Sequence, residues 1–186
     1  MEFIYKLINN EAYEITGIDG TLTDGKITVP DVYLDLPVVG IGDSAFASRR
    51  DITEVIMYDN IKYIGEKAFF NCSSLNKITL SCALKEIGKD AFLGADELKL
   101  NEYGNAYYLG DSYSSYCLLV KVKSVDDKSK PIKSITVHKE TLYIFAEAFS
   151  SATEIKSVKM EHVRVIGQGA FSGCEKLKSV NLGEVS

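Results

Sequence analysis

At 186 residues, with 46% hydrophobic and 25% charged side chains, the chain can bury a core without disulfide staples, and its composition excludes a disordered segment. Its 21 basic and 26 acidic side chains give a net charge of −5, which argues against a nucleic-acid partner, because phosphate binding needs a basic face. No apolar run approaches the ~20 residues of a membrane-spanning helix, and Met1 to Leu7 carries no signal-peptide pattern.

In chain order, Phe3 to Thr16 alternate apolar and polar around Asn9-Asn10, which predicts a β-hairpin. Residues 1–25 therefore read as a cap over the open apolar end of a stack of repeats. Residues 26–186 read as that repeat array. Ile41-Gly42-Asp43-Ser44-Ala45-Phe46 recurs as Ile64-Gly65-Glu66-Lys67-Ala68-Phe69 and Ile87-Gly88-Lys89-Asp90-Ala91-Phe92. It returns as Ile144-Phe145-Ala146-Glu147-Ala148-Phe149 and Ile166-Gly167-Gln168-Gly169-Ala170-Phe171. The phenylalanines are 23, 23, 57 and 22 residues apart, and six residues after each comes Ile52, Leu75, Leu98, Ile155 or Leu177. Positions nine and eleven are Val55 and Met57, Ile78 and Leu80, Val158 and Met160, Val180 and Leu182. Residues two apart point to the same side of a strand, so each unit has one apolar side that it cannot bury alone. Stacking the units in parallel closes those sides on one another. Roughly seven inward side chains per unit, each contributing about 1.5–3 kcal/mol, offset the ordering entropy only once several units are stacked. The spacing predicts a phenylalanine column, a tight turn at the Gly of Ile-Gly, and a short helical or 3₁₀ turn around Ala-Phe.

The gap between Phe92 and Phe149 is 34 residues longer than one 23-residue period. A unit resumes at Ile135-x-Val137, which places an insertion at about residues 103–131. Ala106 to Leu109 and Tyr116 to Val122, joined by Gly110-Asp111-Ser112, predict a β-hairpin projecting from the stack; Asp126 to Lys130 reads as a charged loop. Gly183-Glu184-Val185-Ser186 supplies no polar cap, and the expectation is an open edge that continues into further repeats or meets a partner.

Reactive chemistry is sparse. Cys72, Cys82, Cys117 and Cys174 form no CxxC pair and have no His at ligand spacing, so no metal site is assigned. Cys72 and Cys174 share one repeat position, where a small apolar side chain fits a core. Asp19-Gly20 and Asp24-Gly25 are turn signals in preference to calcium ligands. His138 and His162 are the two conventional bases; a packed thiol and a solvated imidazole are preferred to a Cys117–His138 nucleophile. No catalytic residue and no cofactor is assigned, and the chain reads as a non-enzyme.

Two surfaces remain as candidate partner-binding sites. Residues flanking the inward strand positions point outward: Tyr58, Lys77, Thr79, Thr136, His138, Lys159, Glu161 and Asn181 carry the side chains of interest. A protein- or glycan-binding face and a merely solvated one are both open readings. Tyr103, Tyr107, Tyr108, Tyr113 and Tyr116 place five of the 11 tyrosines in 14 residues. Of these, Tyr107, Tyr108 and Tyr113 are the candidate contacts, because tyrosine is enriched at binding hot spots. The alternative is that they pack the hairpin onto the stack.

The phrases Ile64-Gly65-x-x-Ala68-Phe69-x-Asn71-Cys72-Ser73-Ser74-Leu75-x-x-Ile78-x-Leu80 and Gly173-Cys174-Glu175-Lys176-Leu177-x-x-Val180-x-Leu182 resemble the BspA-like leucine-rich repeats of bacterial surface proteins. Ile27-Thr28-Val29-Pro30 and Leu36-Pro37-Val38-Val39-Gly40-Ile41 are similar to the usual start of such arrays, and Tyr103 to Gly110 resembles a recurring insertion. The resemblance covers about residues 26–186. It implies a leucine-rich-repeat right-handed solenoid, β-rich, with a parallel concave sheet, short helical or 3₁₀ turns on the convex side and an inserted β-hairpin. It further implies a secreted or cell-surface adhesin-like module binding a protein of a host or neighbouring cell, or a glycan; four unpaired thiols favour an intracellular interaction scaffold instead. The sequence departs from the pattern at Ile144-Phe145-Ala146, which lacks the Gly, and at Asn101 and Tyr103, where aliphatics stand elsewhere, so the strand is expected to weaken there.

Overall fold

A strand of three residues makes too few hydrogen bonds to persist alone, so the short apolar-polar-apolar runs of this sequence form strands only by pairing with copies of themselves. The computed structural model describes residues 1–110, 114–123, 131–150 and 152–183. It comprises two compact units, Met1–Lys99 and Leu100–Ser186.

Unit one opens with an antiparallel hairpin of β1 (Glu2–Ile8) and β2 (Ala12–Asp19). Its turn places Asn9 and Asn10 at positive φ, where asparagine is tolerated, as the sequence predicts. β3 (Lys26–Thr28) and β4 (Val32–Tyr33) come next, then β5 (Leu36–Ile41). β6 (Glu54–Ile56), β7 (Tyr63–Ile64), β8 (Lys77–Thr79) and β9 (Glu86–Ile87) complete the unit. Each coil thus gives two strands. The three-residue strands stack in parallel as β3-β6-β8, and the other ladder runs β2-β5-β7-β9, with β1 added antiparallel at the edge.

Unit two repeats this plan. β10 (Asn101–Tyr103), β11 (Ala106–Leu109) and β12 (Leu118–Val122) form an antiparallel meander. β13 (Ser134–Thr136), β15 (Ser157–Lys159) and β17 (Ser179–Asn181) stack in one parallel sheet. β14 (Tyr143–Ile144) and β16 (Val165–Ile166) stack in the other, on β12. The inserted hairpin therefore does not project: Leu118 and Leu119 pair in parallel with Tyr143 and Ile144, so its second strand is the first rung of a ladder. The reason is apolar. Leu118, Leu119 and Val122 are buried, and solvent would be the alternative. Asn101 and Tyr103 depart from the repeat because they pair antiparallel with Tyr108 and Ala106. The expected Gly110-Asp111-Ser112 turn extends past the described residues at positions 111 and 112, and the Asp126 to Lys130 loop lies outside them entirely.

The Ala-Phe segment closes each coil's third side. No helix occurs among the described residues; isolated turns do, such as Ala45 N to Gly42 O and Ala47 N to Ser44 O. Helix is interrupted because the residues two before and two after Phe are left-handed: Ser44 and Ser48, Lys67 and Asn71, Asp90 and Gly94, Gly169 and Gly173. That alternation aims every second N–H at the next coil, as in Phe46 N to Ala68 O and Phe69 N to Ala91 O, both 2.8 Å. This side is a third hydrogen-bonded ladder.

The expected phenylalanine stacking holds within each unit. Ring centroids lie 5.2 Å apart for Phe46 and Phe69, 5.5 Å for Phe69 and Phe92, and 4.7 Å for Phe149 and Phe171. Val55, Met57, Ile78, Leu80, Val158 and Met160 are buried as the alternation requires. Val180 and Leu182 are 39% and 50% exposed, because the described residues place no coil beyond them.

The Gly of Ile-Gly has a different reason from the tight turn expected. None of Gly42, Gly65, Gly88 and Gly167 has a positive φ. A Cβ on Gly65 would lie 2.5 Å from Asp43 N, and one on Gly167 2.5 Å from Ala146 N. Backbones of successive coils touch here, and only a missing side chain allows it. Phe145 can replace Gly in its coil because the strand beneath, β12, runs straight through Leu119 without an Ile-Gly turn to approach it.

Candidate binding site

Outward positions of the three-residue strands form columns across each sheet. In unit one Lys26, Glu54 and Lys77 are in register. Glu54 accepts from Lys77 at 2.7 Å and faces Lys26 at 3.7 Å; the Lys77 hydrogen bond, ahead of both ammonium charges, holds its carboxyl below the usual range. Two ammonium groups thus share one carboxylate in this column. Thr79 is half-buried beside it, and Tyr58 is half exposed just past β6. Ser81, two residues past Thr79, is fully buried and donates to Ile61 O at 2.7 Å.

In unit two, Thr136, Lys159 and Asn181 are in register on the outward face. Val137 N and Met160 N donate to the next coil at Lys159 O and Asn181 O, which fixes the spacing of these side chains. His138 and Glu161 lie two residues further along each coil. Lys159 and Glu161 form a 2.8 Å ion pair, whose hydrogen bond raises the ammonium and lowers the carboxyl from their ordinary values.

The tyrosines approach from the meander. Tyr103 meets His138 nearly at right angles, with centroids 4.6 Å apart and planes at 81°. Tyr116 tilts over His138 at 4.1 Å, and Tyr108 packs edge-on to Tyr116 at 5.6 Å. His138 is anchored twice: its N–H donates to Tyr108 Oη at 3.4 Å, and its Nδ1 accepts from Glu140 N at 3.2 Å. The neutral ring then carries its proton on Nε2. Between these groups lies a surface cavity of about 190 Å³, lined by Tyr103, Thr136, His138, Lys139, Lys159 and Glu161 over the largely buried Val137.

Four of the predicted residues thus converge: Thr136, His138, Lys159 and Glu161. Asn181 is exposed one coil on, where its Oδ1 accepts from Gly183 N. Tyr108 is corrected: it is wholly buried, burial pushes its phenol up to about 12, and it supports His138 from within the core instead of meeting a ligand. Tyr107 faces away, under the ammonium groups of Lys121 and Lys123 at 5.5 and 5.1 Å. Tyr113 lies outside the described residues. Sequence reasoning leaves Tyr103 and Lys139 off the candidate set. A signal for Tyr103 exists: Gly104-Asn105 is a two-residue hairpin turn, with Gly104 at φ +55, and it folds Tyr103 back beside β11.

Among the described residues no group of three or more His, Cys, Asp or Glu gathers as a metal would need. The thiols at the position three after Phe serve packing: Cys72 and Cys174 donate to Phe46 O and Phe149 O at 3.0 and 3.2 Å, and burial pushes Cys72 up to about 11. Cys82 is exposed and Cys117 buried, and none of the four is in a disulfide. No helix among the described residues is long and apolar enough to cross a membrane.

The chain matches the family described as BspA type leucine rich repeat region, in six copies, over residues 26–127 and 123–185. A comparison with curated protein sequences finds no match. Among solved structures it is similar to a leucine-rich repeat protein from T. pallidum, 22% identical, TM-score 0.55, covering 94% of this chain and 87% of that one. A leucine-rich repeat protein from Bacteroides ovatus is 28% identical with TM-score 0.53, covering 97% of this chain and 45% of that one. A leucine rich cell surface protein from Faecalibacterium prausnitzii is 21% identical with TM-score 0.51, covering 95% of this chain and 52% of that one. The chain thus spans about half the length of the latter two.

Proposed function

We infer from one premise, that this chain belongs to the BspA-type leucine-rich-repeat family, that it is a non-enzymatic binding module of a cell-surface or secreted, adhesin-like protein. The premise makes it a repeat protein; the ligand class is a protein or a glycan. The observation that carries the reading is the unit-two cavity, where Tyr103 and His138 meet Lys159 and Glu161 on an outward face. Aromatic rings beside paired charges give apolar area and hydrogen-bonding in one place, which is how hot spots are built. Catalysis would need a base and a nucleophile in hydrogen-bond reach, and binding needs neither.

The test is binding of the purified chain to immobilised extracellular-matrix proteins and to a glycan panel, against a Tyr103→Ala, Lys159→Ala, Glu161→Ala triple variant. The expected result is at least one retained ligand, weakened ~10-fold or more in the variant at unchanged melting temperature. No retained ligand, or equal retention by both proteins, refutes the reading. A second reading, an intracellular scaffold, is favoured by four cysteines of which none is in a disulfide, since exported proteins tend to oxidise theirs. Protease treatment of intact producing cells separates the two: the surface reading requires the chain to be cleaved while cytoplasmic markers survive.

A further inference from the structure

We propose that the unit-two cavity receives a single carboxylate-bearing pyranose, a uronic or sialic acid residue of a glycan. This rests on the binding-module reading and names its ligand.

Size limits the occupant first. At about 190 Å³ the cavity is smaller than the usual drug-sized pocket and holds one ring. A pyranose has an apolar face of C–H bonds and an equator of hydroxyls, so it calls for an aromatic plane beside convergent polar groups. Tyr103, 42% exposed, supplies the plane; its π-face is the negative partner that polarised C–H bonds seek. Polar groups then ring the space. Glu161 accepts, Lys159 donates, and their ion pair holds both in place before any ligand arrives. The Thr136 hydroxyl does either, and His138 presents Nε2–H because its Nδ1 is already engaged by Glu140 N.

Charge selects among sugars. Lys159 and Glu161 cancel, whereas Lys139 lines the same cavity and makes no ion pair among the described residues. Two ammonium groups against one carboxylate leave a surplus positive charge, which complements an anion. An acidic pyranose satisfies it; a neutral hexose leaves it unanswered. Rigidity matters as well. Tyr108 and Glu140 pin His138, and the inter-coil hydrogen bonds at Lys159 and Asn181 fix the strand spacing, so little ordering is left for the ligand to impose.

Amide shifts in two-dimensional NMR of the intact chain, titrated with methyl glucuronide, sialic acid, methyl glucoside and an acetylated glutamyl peptide, test this. Glucuronide or sialic acid should move the amides of His138, Lys139 and Lys159 with saturation in the millimolar range. The glucoside should bind about 3-fold more weakly, the scale of one exposed charge contact. Lys139→Ala, at an exposed position, should bring glucuronide and glucoside to equal affinity, and Tyr103→Ala should weaken both ~10-fold. The proposal is overturned if neither acidic sugar moves these amides, if glucoside binds as well as glucuronide to the unaltered chain, or if the glutamyl peptide binds here more tightly than either acid. Each of these failures leaves the broader binding-module reading standing if a panel protein is still retained, and only an empty panel removes both.

Discussion

Replacing Gly65 with alanine adds one methyl group at the point where two coils touch. The new Cβ would lie 2.5 Å from both Asp43 N and Asp43 Oδ1, and 2.6 Å from Gly42 C. Two of these three atoms are backbone and cannot swing aside, so the coils must separate by close to 1 Å. Gly65 N to Ile41 O at 2.7 Å and Ser44 N to Glu66 O at 2.8 Å span that junction and would stretch with it. Overpacking of this kind costs about 1–3 kcal/mol, and two weakened hydrogen bonds about 1 kcal/mol each. The expected loss is about 3–5 kcal/mol, a large share of the ~5–15 kcal/mol that holds a domain together. Urea unfolding followed by circular dichroism measures it. Gly17→Ala is the control: its Cβ meets the flexible Ile4 Cδ1 at 3.4 Å and Ala45 O at 3.6 Å, both ordinary contacts, and stability should change by about 0.5 kcal/mol or less. Gly42→Ala should fall between them, because its Cβ meets the movable Glu14 side chain at 3.0 Å. If Gly65→Ala unfolds within about 0.5 kcal/mol of the natural chain, the close-approach account of the repeat glycine is wrong.

Arg49 donates to Asp51 through two nitrogens, at 2.8 and 2.7 Å, and to Ile18 O and Gly20 O at 3.0 and 2.7 Å; Arg49→Ala should cost about 2–3 kcal/mol by thermal unfolding. The Arg49 hydrogen bond holds the Asp51 carboxyl far below its usual range, so the folded chain binds fewer protons there. That stability is whole above about pH 4 and is lost on further acidification, and the gap between natural chain and Arg49→Ala should narrow as pH falls below that point. Tyr108 has the opposite sign: burial raises its phenol to about 12, so its contribution is complete below about pH 10 and lost as pH rises toward 12. Tyr108→Phe should remove one late-ionising phenol from the ultraviolet phenolate titration, and Tyr63→Phe another, since burial and then the 2.9 Å hydrogen bond to Glu14 hold Tyr63 higher still. Ser48→Gly should stabilise by about 0.5–1 kcal/mol, because Ser48 is left-handed at φ 63 where equivalent coils carry Gly94 and Gly173.

The repeat is legible from residues because its period is enforced by burial: Phe46, Val55 and Met57 must each meet their copies, and a shift of one residue would turn them to water. The left-handed residues flanking Phe are not legible. Ser44, Lys67, Asp90 and Glu147 carry no common side-chain chemistry, since the backbone conformation is imposed by the inter-coil ladder and the side chains tolerate it. The repeat glycine is legible as obligatory but its reason is not, because a sequence shows that a side chain is missing and not which neighbour excludes it. The candidate site is half legible. Alternation gives Thr136, His138, Lys159 and Glu161, one strand position and one coil apart, but Tyr103 reaches them across a fold of chain whose pairing depends on Leu118 and Leu119 entering the ladder.

Both units begin in the same way, with an antiparallel hairpin whose last strand becomes the first rung of a parallel ladder: β2 under β5, and β12 under β14. Tyrosines gather at each junction, because a hairpin edge needs bulk that is apolar on one side and wet on the other. Their fates differ for a physical reason. In unit one Tyr33 stacks on Tyr5 at 3.7 Å and abuts Tyr13 at 5.0 Å, so the rings fill their own space. In unit two the ring that would close the cluster is replaced by His138, held at right angles to Tyr103, and the neighbouring coil contributes Lys159 and Glu161 in place of a further aromatic. A gap bordered by rings and charges results. The insertion that interrupts the repeat is therefore also what makes unit two different from unit one: it starts a second ladder and, in doing so, builds one wall of the cavity that the uninterrupted coils could not have formed.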